Sequence, residues 1–228
     1  MQETIIKFNG CDIKIVPRDE VDISVMREIF KLREYRAAES VISSAQANIL
    51  DVGGHAGFFV LYCRALNKKV KIISVEPVKE NLVALTKNLK LNKTKDVEII
   101  SGVLSGESGT RYLEKSSDSH NSRLAPIGTD TSEPVVGLAL RDLCEQYHIK
   151  QIDLIKMDVE GGEYEILESL SKEDFLLFKN LILEYHNYHG LEKSLLEQVL
   201  RENGFGVSVF PSKFDKNLGF IFASNKRI

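Results

Sequence analysis

From Asn48 onward the sequence alternates short apolar segments with amphipathic ones, and this rhythm constrains the fold more than any other feature. The apolar segments predict five strands, over 49–52, 71–75, 97–101, 152–157 and 181–184. The amphipathic segments predict helices over 58–66, 82–89, 138–147, 164–170 and 195–202. Strands that alternate with helices predict a parallel sheet covered by helices on both faces.

The two ends of the chain depart from this rhythm. Segments 206–210 and 219–223 are joined by about eight residues, too few for a helical crossover, so this pair must be antiparallel. At the start, strands over 4–8 and 12–16 flank Asn9-Gly10, which favours a type I′ hairpin, and 23–44 predicts one or two helices.

We therefore predict an α/β fold with a mostly parallel seven-stranded sheet, an antiparallel C-terminal strand and helices on both faces. We divide the chain into an N-terminal hairpin and helical cap, 1–45, and one compact unit, 46–228. The segment 114–134 is rich in Ser and Thr and contains Pro126 and Pro134. We interpret it as a long surface loop, with a lid over the substrate site as the functional alternative.

Composition excludes several classes of protein. The 228 residues carry a net charge of −3, and 43% are hydrophobic and 28% charged, which excludes general disorder. No apolar segment approaches the roughly 18 residues of a membrane span, and we expect no secretory signal. The three cysteines are widely spaced, in neither a metal nor a disulfide pattern, so we expect a cytoplasmic protein with no membrane partner.

The charge pattern gives no reason to expect a nucleic-acid partner. Lys87, Lys90, Lys93 and Lys95 come nearest to a basic patch, and their spacing is that of the solvated face and end of a helix.

A glycine-rich segment, 51–59 with the sequence DVGGHAGFF, follows the first strand of the predicted sheet. In an open α/β fold, the nucleotide binds at such a turn. The dinucleotide fingerprint GxGxxG fails here: with Gly57 last and Gly54 in the middle, its first glycine would fall at Val52.

Asp51 and Glu76 narrow the choice of ligand. A carboxylate just before the turn would repel a pyrophosphate, but it suits a ligand with a cationic amino-acid end and no phosphate. S-adenosylmethionine is such a ligand, and glycines let the backbone approach it closely. Glu76 ends the next strand, where a carboxylate can accept both ribose hydroxyls, and Pro77 follows it.

Carboxylates also follow the fourth predicted strand, in a part of the chain where ligands of such folds bind. Asp158 directly follows a buried strand, where an unpaired carboxylate would be costly, so we interpret it as functional. Glu160 has Lys156 as an expected ion-pair partner. We interpret Glu163 as a charge that complements the dipole of the following helix.

The fifth predicted strand ends in Glu184-Tyr185-His186. His186 is a candidate general base because an imidazole titrates near neutral pH. Glu184 lies two residues earlier, so both side chains fall on one side of an extended strand. We assign no metal, although Asp158, Glu184 and His186 are also of the right types to bind a divalent ion that holds a substrate hydroxyl.

These segments together resemble a known family. DVGGHAGFF at 51–59, Glu76-Pro77, IKMDVEGGE at 155–163 and Glu184-Tyr185-His186 are similar to the FkbM-type methyltransferases. The resemblance runs in order from about Tyr35 to His186. It departs at Gly54, where the family usually has Ala, and we expect this change to be harmless in a turn.

The resemblance implies a class I Rossmann-like fold and methyl transfer from S-adenosylmethionine to oxygen, with hydroxyls of sugars, polyketides and other small molecules as acceptors. We expect catalytic roles for Asp158, His186, Glu160 and Glu184. We expect the cofactor site to contain Asp51, Gly53, Gly54, His55, Gly57, Phe58, Phe59, Glu76, Pro77, Asn81, Gly102, Val103 and Asp158.

Three alternatives stay open at this point. Methylation of a nucleic-acid amine usually goes with Asn/Asp-Pro-Pro-aromatic after the fourth strand, where this chain has Asp158-Val159-Glu160-Gly161. A binding module would hold S-adenosylmethionine or a nucleotide without turnover. An NAD-dependent oxidoreductase conflicts with the failed glycine fingerprint.

Overall fold

The structure is a computed structural model that describes residues 2–114, 123–125, 132–187, 190–212 and 215–227. Its strands are β1 (Thr4–Phe8), β2 (Cys11–Ile15), β3 (Asn48–Val52), β4 (Lys71–Glu76), β5 (Val97–Ser101), β6 (Val103–Leu104), β7 (Gly109–Glu114), β8 (Arg123–Ala125), β9 (Ser132–Leu138), β10 (Leu154–Met157), β11 (Asn180–His186), β12 (Phe205–Pro211) and β13 (Leu218–Asn225). Its α-helices are α1 (Glu20–Arg27), α2 (Glu39–Ser44), α3 (Phe58–Leu66), α4 (Lys79–Leu91), α5 (Leu140–Gln146), α6 (Glu163–Ser169) and α7 (Lys193–Glu202).

A seven-stranded sheet forms the centre of the fold, in the order β12-β13-β11-β10-β3-β4-β5. The five strands from β11 to β5 run parallel, whereas β13 is antiparallel to both β11 and β12. The prediction of a mostly parallel seven-stranded sheet that ends in an antiparallel pair is confirmed.

Alternating side chains of the central strands enter two hydrophobic cores, one on each face of the sheet. Ile49 of β3 and Ile72 of β4 belong to one core. Their neighbours Leu50 and Ile73 belong to the other. Because both faces are covered, the central strands are apolar along most of their length.

The N-terminal segment packs into the first of these cores. Its strands β1 and β2 form the predicted hairpin, with Asn9 and Gly10 both at positive φ. The predicted helices are broken into α1, a π-helical turn over Glu28–Leu32, a 3₁₀ turn over Glu34–Ala38, and α2, with left-handed Arg33 between the turns. Since Met26 and Ile42 share a core with Phe59, this segment caps the sheet, and its division at residue 45 stays a prediction.

A second sheet, in the order β6-β9-β7-β8, lies between β5 and α5 and overlaps the segment where we expected a long loop. The expectation of a loop over 114–134 is wrong for 114, 123–125 and 132–134, which are strand. The reason is that β7 and β9 are largely exposed and carry few buried apolar residues, so they lack a clear hydrophobic pattern. The lid alternative falls largely on 115–122 and 126–131, outside the described residues.

Smaller differences concern the ends of elements. The helix expected over 138–147 begins at Leu140, because Leu138 still belongs to β9. Strand β11 continues past Glu184 through His186. Within the described part of the chain, no helix is both long and apolar enough to cross a bilayer.

Candidate functional site

A cleft opens at the carboxyl ends of β3, β4 and β10, with about 950 Å³ of space between protein atoms, part of it open to solvent. Most of the predicted site residues line it: Gly53, Gly54, His55, Phe58, Phe59, Glu76, Pro77, Asn81, Gly102, Val103, Asp158 and Glu160. Four predicted residues lie outside the lining as it is described, namely Asp51, Gly57, Glu184 and His186.

The glycine loop turns sharply between β3 and α3. The backbone N–H groups of Gly53 and Gly54 both donate to Val75 O, each at 3.0 Å. Gly53 has φ +81°, and a Cβ there would lie 2.1 Å from Asp158 O. Only glycine fits this position, so the loop brings its backbone directly against the end of β10.

Gly54 is restricted for a different reason. A Cβ at this position would lie 2.2 Å from Ser74 Oγ, which donates to Asp51 Oδ2 at 2.9 Å. A methyl group at position 54 would therefore require Ser74 Oγ to move, and the expectation that glycine is harmless here stays a prediction.

Asp51 is buried beneath the loop instead of facing the cleft. Its Oδ1 lies 3.4 Å from Lys156 Nζ, and both side chains are almost fully buried. Lys156 also donates to Gly53 O at 2.7 Å and lies 3.8 Å from Asp158. The expected pairing of Lys156 with Glu160 is wrong, because Lys156 extends under the loop toward Asp51.

This arrangement keeps Lys156 charged. Burial alone would lower the pKa of Lys156, but the carboxylates of Asp51 and Asp158 outweigh that effect and raise the pKa above its usual value. A buried cation therefore connects the end of β3, the loop and the end of β10.

Glu76 lies at the cleft floor and is already held on three sides. Its carboxylate accepts from the backbone N–H of His55 at 2.7 Å and of Val78 at 2.8 Å, and from Asn81 Nδ2 at 3.0 Å. A carboxylate has about four acceptor positions. Among the described contacts, this leaves an acceptor position for a bound ribose, and the contact to both ribose hydroxyls stays a prediction.

A polar network joins this carboxylate to the N-terminal segment. Arg18 Nη1 donates to Asn81 Oδ1 at 2.6 Å, and its Nη2 lies 2.7 Å from His55 Nε2. Arg18 also forms a bidentate pair with buried Asp22. The side chain of His55 is thus tied to the N-terminal segment, while its backbone N–H supports Glu76.

On the other side of the cleft, Asp158, Glu184 and His186 converge. One ligand atom from each lies within 4.8 Å of the other two. The expectation that Glu184 and His186 share one side of β11 is confirmed by this convergence. Burial, together with the charge of Asp158, raises the pKa of Glu184 well above its usual range.

The sequence indicates only that Glu163 complements the dipole of the following helix. Its contact with His186 is not predictable from the sequence. It is fully buried at the start of α6, and its Oε1 lies 2.6 Å from His186 Nδ1. His186 Nε2 lies 3.4 Å from Glu160 Oε2. Burial would lower the pKa of His186, but Glu163 and then Glu160 and Glu184 raise it to about 9.

The N-terminal segment adds residues that the sequence did not assign to the site. Tyr35, Val25 and Ile29 line the cleft, and Tyr35 packs edge-on against Phe59 and Phe220. Burial, with the charges of Glu28 and Asp158, raises the pKa of Glu34 to about 7. The only sequence signal for these residues was the apolar periodicity of 23–44, which indicated burial and not function.

The fold and the cleft define the class of protein: a class I methyltransferase that uses S-adenosylmethionine. The chain belongs to the FkbM methyltransferase domain family, which matches residues 51–207.

Relatives support this assignment. Over 192 residues the chain is 26% identical to the methyltransferase sdnD of Sordaria araneosa, covering 70% of this chain and 74% of that protein. It is 24% identical over 155 residues to the hexuronic acid methyltransferase AglP of Haloferax volcanii, covering 65% and 63% of the two chains.

A solved structure shares the fold. Magnesium protoporphyrin IX methyltransferase from Synechocystis PCC 6803 with bound S-adenosylmethionine aligns with a TM-score of 0.54. It is 10% identical, and the alignment covers 90% of this chain and 82% of that one.

The residues present fit S-adenosylmethionine. The loop at Gly53 has no space for a side chain and leaves backbone facing the cleft. Glu76 offers an acceptor for a ribose hydroxyl, and Val103 and Leu104 supply apolar wall. Asp158 and Glu160 add two carboxylates to the cleft lining, and a cationic ligand suits such a lining.

Proposed function

We propose that the chain transfers a methyl group to a hydroxyl oxygen of a small-molecule acceptor, such as a sugar or a polyketide. The observation that carries this proposal is the convergence of Asp158, Glu184 and His186 within 4.8 Å, with Asp158 in the cleft lining. A hydroxyl group that is methylated must lose a proton from its oxygen, so the site needs groups that can take or hold that proton.

The residues on the cofactor side of the cleft hold and orient S-adenosylmethionine. When bound, S-adenosylmethionine supplies a methyl group on a sulfonium, and the C–S bond breaks to leave a neutral thioether as the C–O bond forms. In our proposal, Glu76 accepts a ribose hydroxyl, while the loop at Gly53 and Gly54 supplies close backbone contact. Phe58 and Phe59 line the cleft beside them.

The acceptor-side residues align the oxygen and take its proton. Asp158 and Glu160 line the cleft, so one of these carboxylates can receive the proton directly. His186 was our candidate base, but a pKa of about 9 keeps it charged at neutral pH. We therefore propose that the charged ring of His186 stabilises negative charge on the acceptor side. Alignment of the acceptor oxygen with the methyl group makes the larger contribution to the rate.

Two observations favour a small oxygen-rich acceptor over a nucleic-acid amine. The residues after β10 are Asp158-Val159-Glu160-Gly161, without the paired prolines and aromatic residue that hold a planar amine. Among the relatives, AglP is a hexuronic acid methyltransferase. The three free cysteines favour a reducing compartment such as the cytoplasm for this reaction.

The test is transfer of labelled methyl from S-adenosylmethionine to a panel of hydroxylated metabolites that includes sugars and hexuronic acids. We expect transfer to at least one oxygen acceptor, and a large loss of transfer in Asp158→Asn even at a concentration of S-adenosylmethionine that saturates the variant. Transfer only to amines, or cofactor binding with no turnover on any acceptor, would overturn the proposal. Binding of NAD in place of S-adenosylhomocysteine in calorimetry would do the same.

A further inference from the structure

The acceptor side of the cleft gathers several acidic side chains, with the ring of His186 among them. Asp158 and Glu160 follow β10 and line the cleft, whereas Glu184 of β11 lies outside the lining, with a carboxylate oxygen within 4.8 Å of one of Asp158. The charges of Asp158 and of Glu34 in the N-terminal segment both act on Glu184. Within the described residues, Lys156 is the lysine paired with this group, and it is committed to Asp51 beneath the loop.

The ring of His186 is fixed by a buried carboxylate, an arrangement that metal-ligating histidines also have. Ligating histidines almost always donate their other ring nitrogen to a carboxylate, a backbone carbonyl or water, which fixes the ring and the tautomer. Here Glu163 provides that partner, fully buried and 2.6 Å from His186 Nδ1. The Glu163 contact fixes a ring that is itself only 8% exposed and leaves Nε2 on the side of Glu160.

Glu184 is the third member of the group. It lies on β11, is partly buried, and accepts no hydrogen bond from a described residue. The positive charge beside it among the described residues is that of the His186 ring. The three side chains bring one carboxylate oxygen each from Asp158 and Glu184, and one imidazole nitrogen from His186, within 4.8 Å.

We infer that Asp158, Glu184 and His186 form a divalent-cation site that holds two neighbouring oxygens of the acceptor. When the cation binds, it displaces the proton that Nε2 of His186 carries in the metal-free protein. Two carboxylates and one imidazole suit Mn²⁺, and Mg²⁺ is the oxygen-preferring alternative. Ligand atoms about 2.0–2.2 Å from an ion lie roughly 3–4.4 Å from one another, so the three donors need only small side-chain movements.

The cation defines the class of acceptor and the path of the proton. Three protein ligands leave coordination positions open, which a vicinal diol or a hydroxy acid can fill with two oxygens. The cation eases loss of the hydroxyl proton. That proton passes to Glu160, which lines the cleft and lies outside the three ligands. This acceptor class rests on the proposed function, whereas the cation site itself does not.

The first test measures binding of Mn²⁺ alone to the full chain by electron paramagnetic resonance. We expect one bound ion, about 10- to 100-fold weaker binding in Glu184→Gln, and a similar loss in Glu163→Gln, which removes the carboxylate partner of the ligating ring. Glu168→Gln is the matched control, because Glu168 lies exposed on α6, five residues after Glu163. No binding by the wild type, or equal binding in Glu184→Gln and the wild type, would overturn the site.

A spectroscopic measurement covers the case in which a variant fails to fold. Pulsed resonance on wild-type chain with Mn²⁺ should show coupling to an imidazole nitrogen, and its absence would overturn the assignment of His186. Chelation followed by Mn²⁺ addition should abolish and then restore methyl transfer to a diol. If Mn²⁺ binds as expected but no hydroxyl is methylated, the proposed function fails and the cation site stands.

Discussion

Lys156 Nζ lies 3.4 Å from Asp51 Oδ1 at a point where both side chains are almost fully shielded from solvent. The pair joins adjacent strands β10 and β3 directly below the glycine loop, and Lys156 also donates to the carbonyl of Gly53. The carboxylate that we expected to meet the cofactor instead supports the loop from underneath. Asp51 therefore acts on the cleft through Lys156 and Gly53.

Removal of the cation from this pair should be costly. Lys156→Met leaves Asp51 buried without a positive partner, and we expect the free energy of unfolding to fall by about 3–5 kcal/mol. Asp51→Asn combined with Lys156→Met removes both charges and should recover most of that loss, because a neutral amide in place of the carboxylate no longer needs a cation. Urea denaturation of the single and double variants checks this, and equal losses in both would contradict it.

Gly54 and Ser74 should tolerate substitution only together. In Gly54→Ala the new methyl group meets Ser74 Oγ, so we expect a loss of about 1–3 kcal/mol from overpacking. Ser74→Ala removes that oxygen, at the cost of its hydrogen bond to Asp51. The double variant should therefore be more stable than the sum of the two single losses predicts.

The measurement is a double-mutant cycle by chemical denaturation. Additive losses would show that Ser74 does not limit position 54. Gly10→Ala is a useful reference, since Gly10 has open space around it and its substitution is strained only by the positive φ.

The central sheet was predictable because burial on both faces leaves long apolar runs that a single sequence displays. Strand β5 falls on its predicted bounds, and the others differ by one to three residues at their ends. The second sheet was not predictable, because the exposed strands β7 and β9 show a polar pattern that resembles a loop.

The candidate site also has one part that the sequence predicts and one part that it does not. The cleft-lining residues follow from their positions at strand ends, which topology places together. The partners of Lys156 and His186 do not follow, because a lysine or a glutamate near a strand end has several partners within reach. Only the three-dimensional path of each side chain shows that Lys156 points to Asp51 and that Glu163 points to His186.

Glu76→Gln should weaken cofactor binding while the fold is kept. Gln keeps the shape of the side chain but replaces one carboxylate oxygen with a donor, so contacts to His55 N–H, Asn81 or a ribose hydroxyl are lost. We expect S-adenosylhomocysteine affinity to fall by about 1–3 kcal/mol, or roughly 5- to 150-fold. Calorimetry measures this, with Glu98→Gln on the exposed part of β5 as control. Unchanged affinity would remove Glu76 from the cofactor site.

Asp153 should make stability depend on pH in the acidic range. It accepts from the backbone N–H of Gln46 and Ala47 and from Lys179 Nζ, each at 2.7 Å. Burial opposes the charged form, but these three bonds outweigh it and lower the pKa of Asp153.

A lowered folded-state pKa stabilises the protein above the unfolded value of about 3.9, and this contribution is lost as pH falls through the folded-state pKa. Asp153→Asn should cost about 1–3 kcal/mol at pH 7. The difference in the free energy of unfolding between wild type and variant should become smaller below about pH 4. Urea denaturation at pH 7 and in steps below pH 4 checks the prediction, and a gap that stays constant with pH would contradict it.

Glu163→Gln should change the titration of His186. With Glu163 present, the pKa of His186 is about 9, so the pair stabilises the fold fully below the unfolded value of about 6.5 and loses this contribution as pH rises through 9. Without the charge of Glu163, burial of the ring is opposed by fewer carboxylates, and we expect the pKa of His186 to fall toward about 6.5. It should stay somewhat above that of a ring without acidic neighbours, because Glu160 and Glu184 remain.

Proton resonances of the imidazole, recorded against pH in the presence of a chelator, report this pKa directly, and His186→Gln identifies the signal. Wild-type stability should decline between about pH 6.5 and 9, and Glu163→Gln should lack that decline over the same range. Glu168→Gln serves as control, since its carboxylate lies exposed on α6 whereas the ring pairs with buried Glu163. An unchanged titration in Glu163→Gln would mean that Glu160 and Glu184 alone set the charge of His186, and the buried Glu163 contact would then have no electrostatic role.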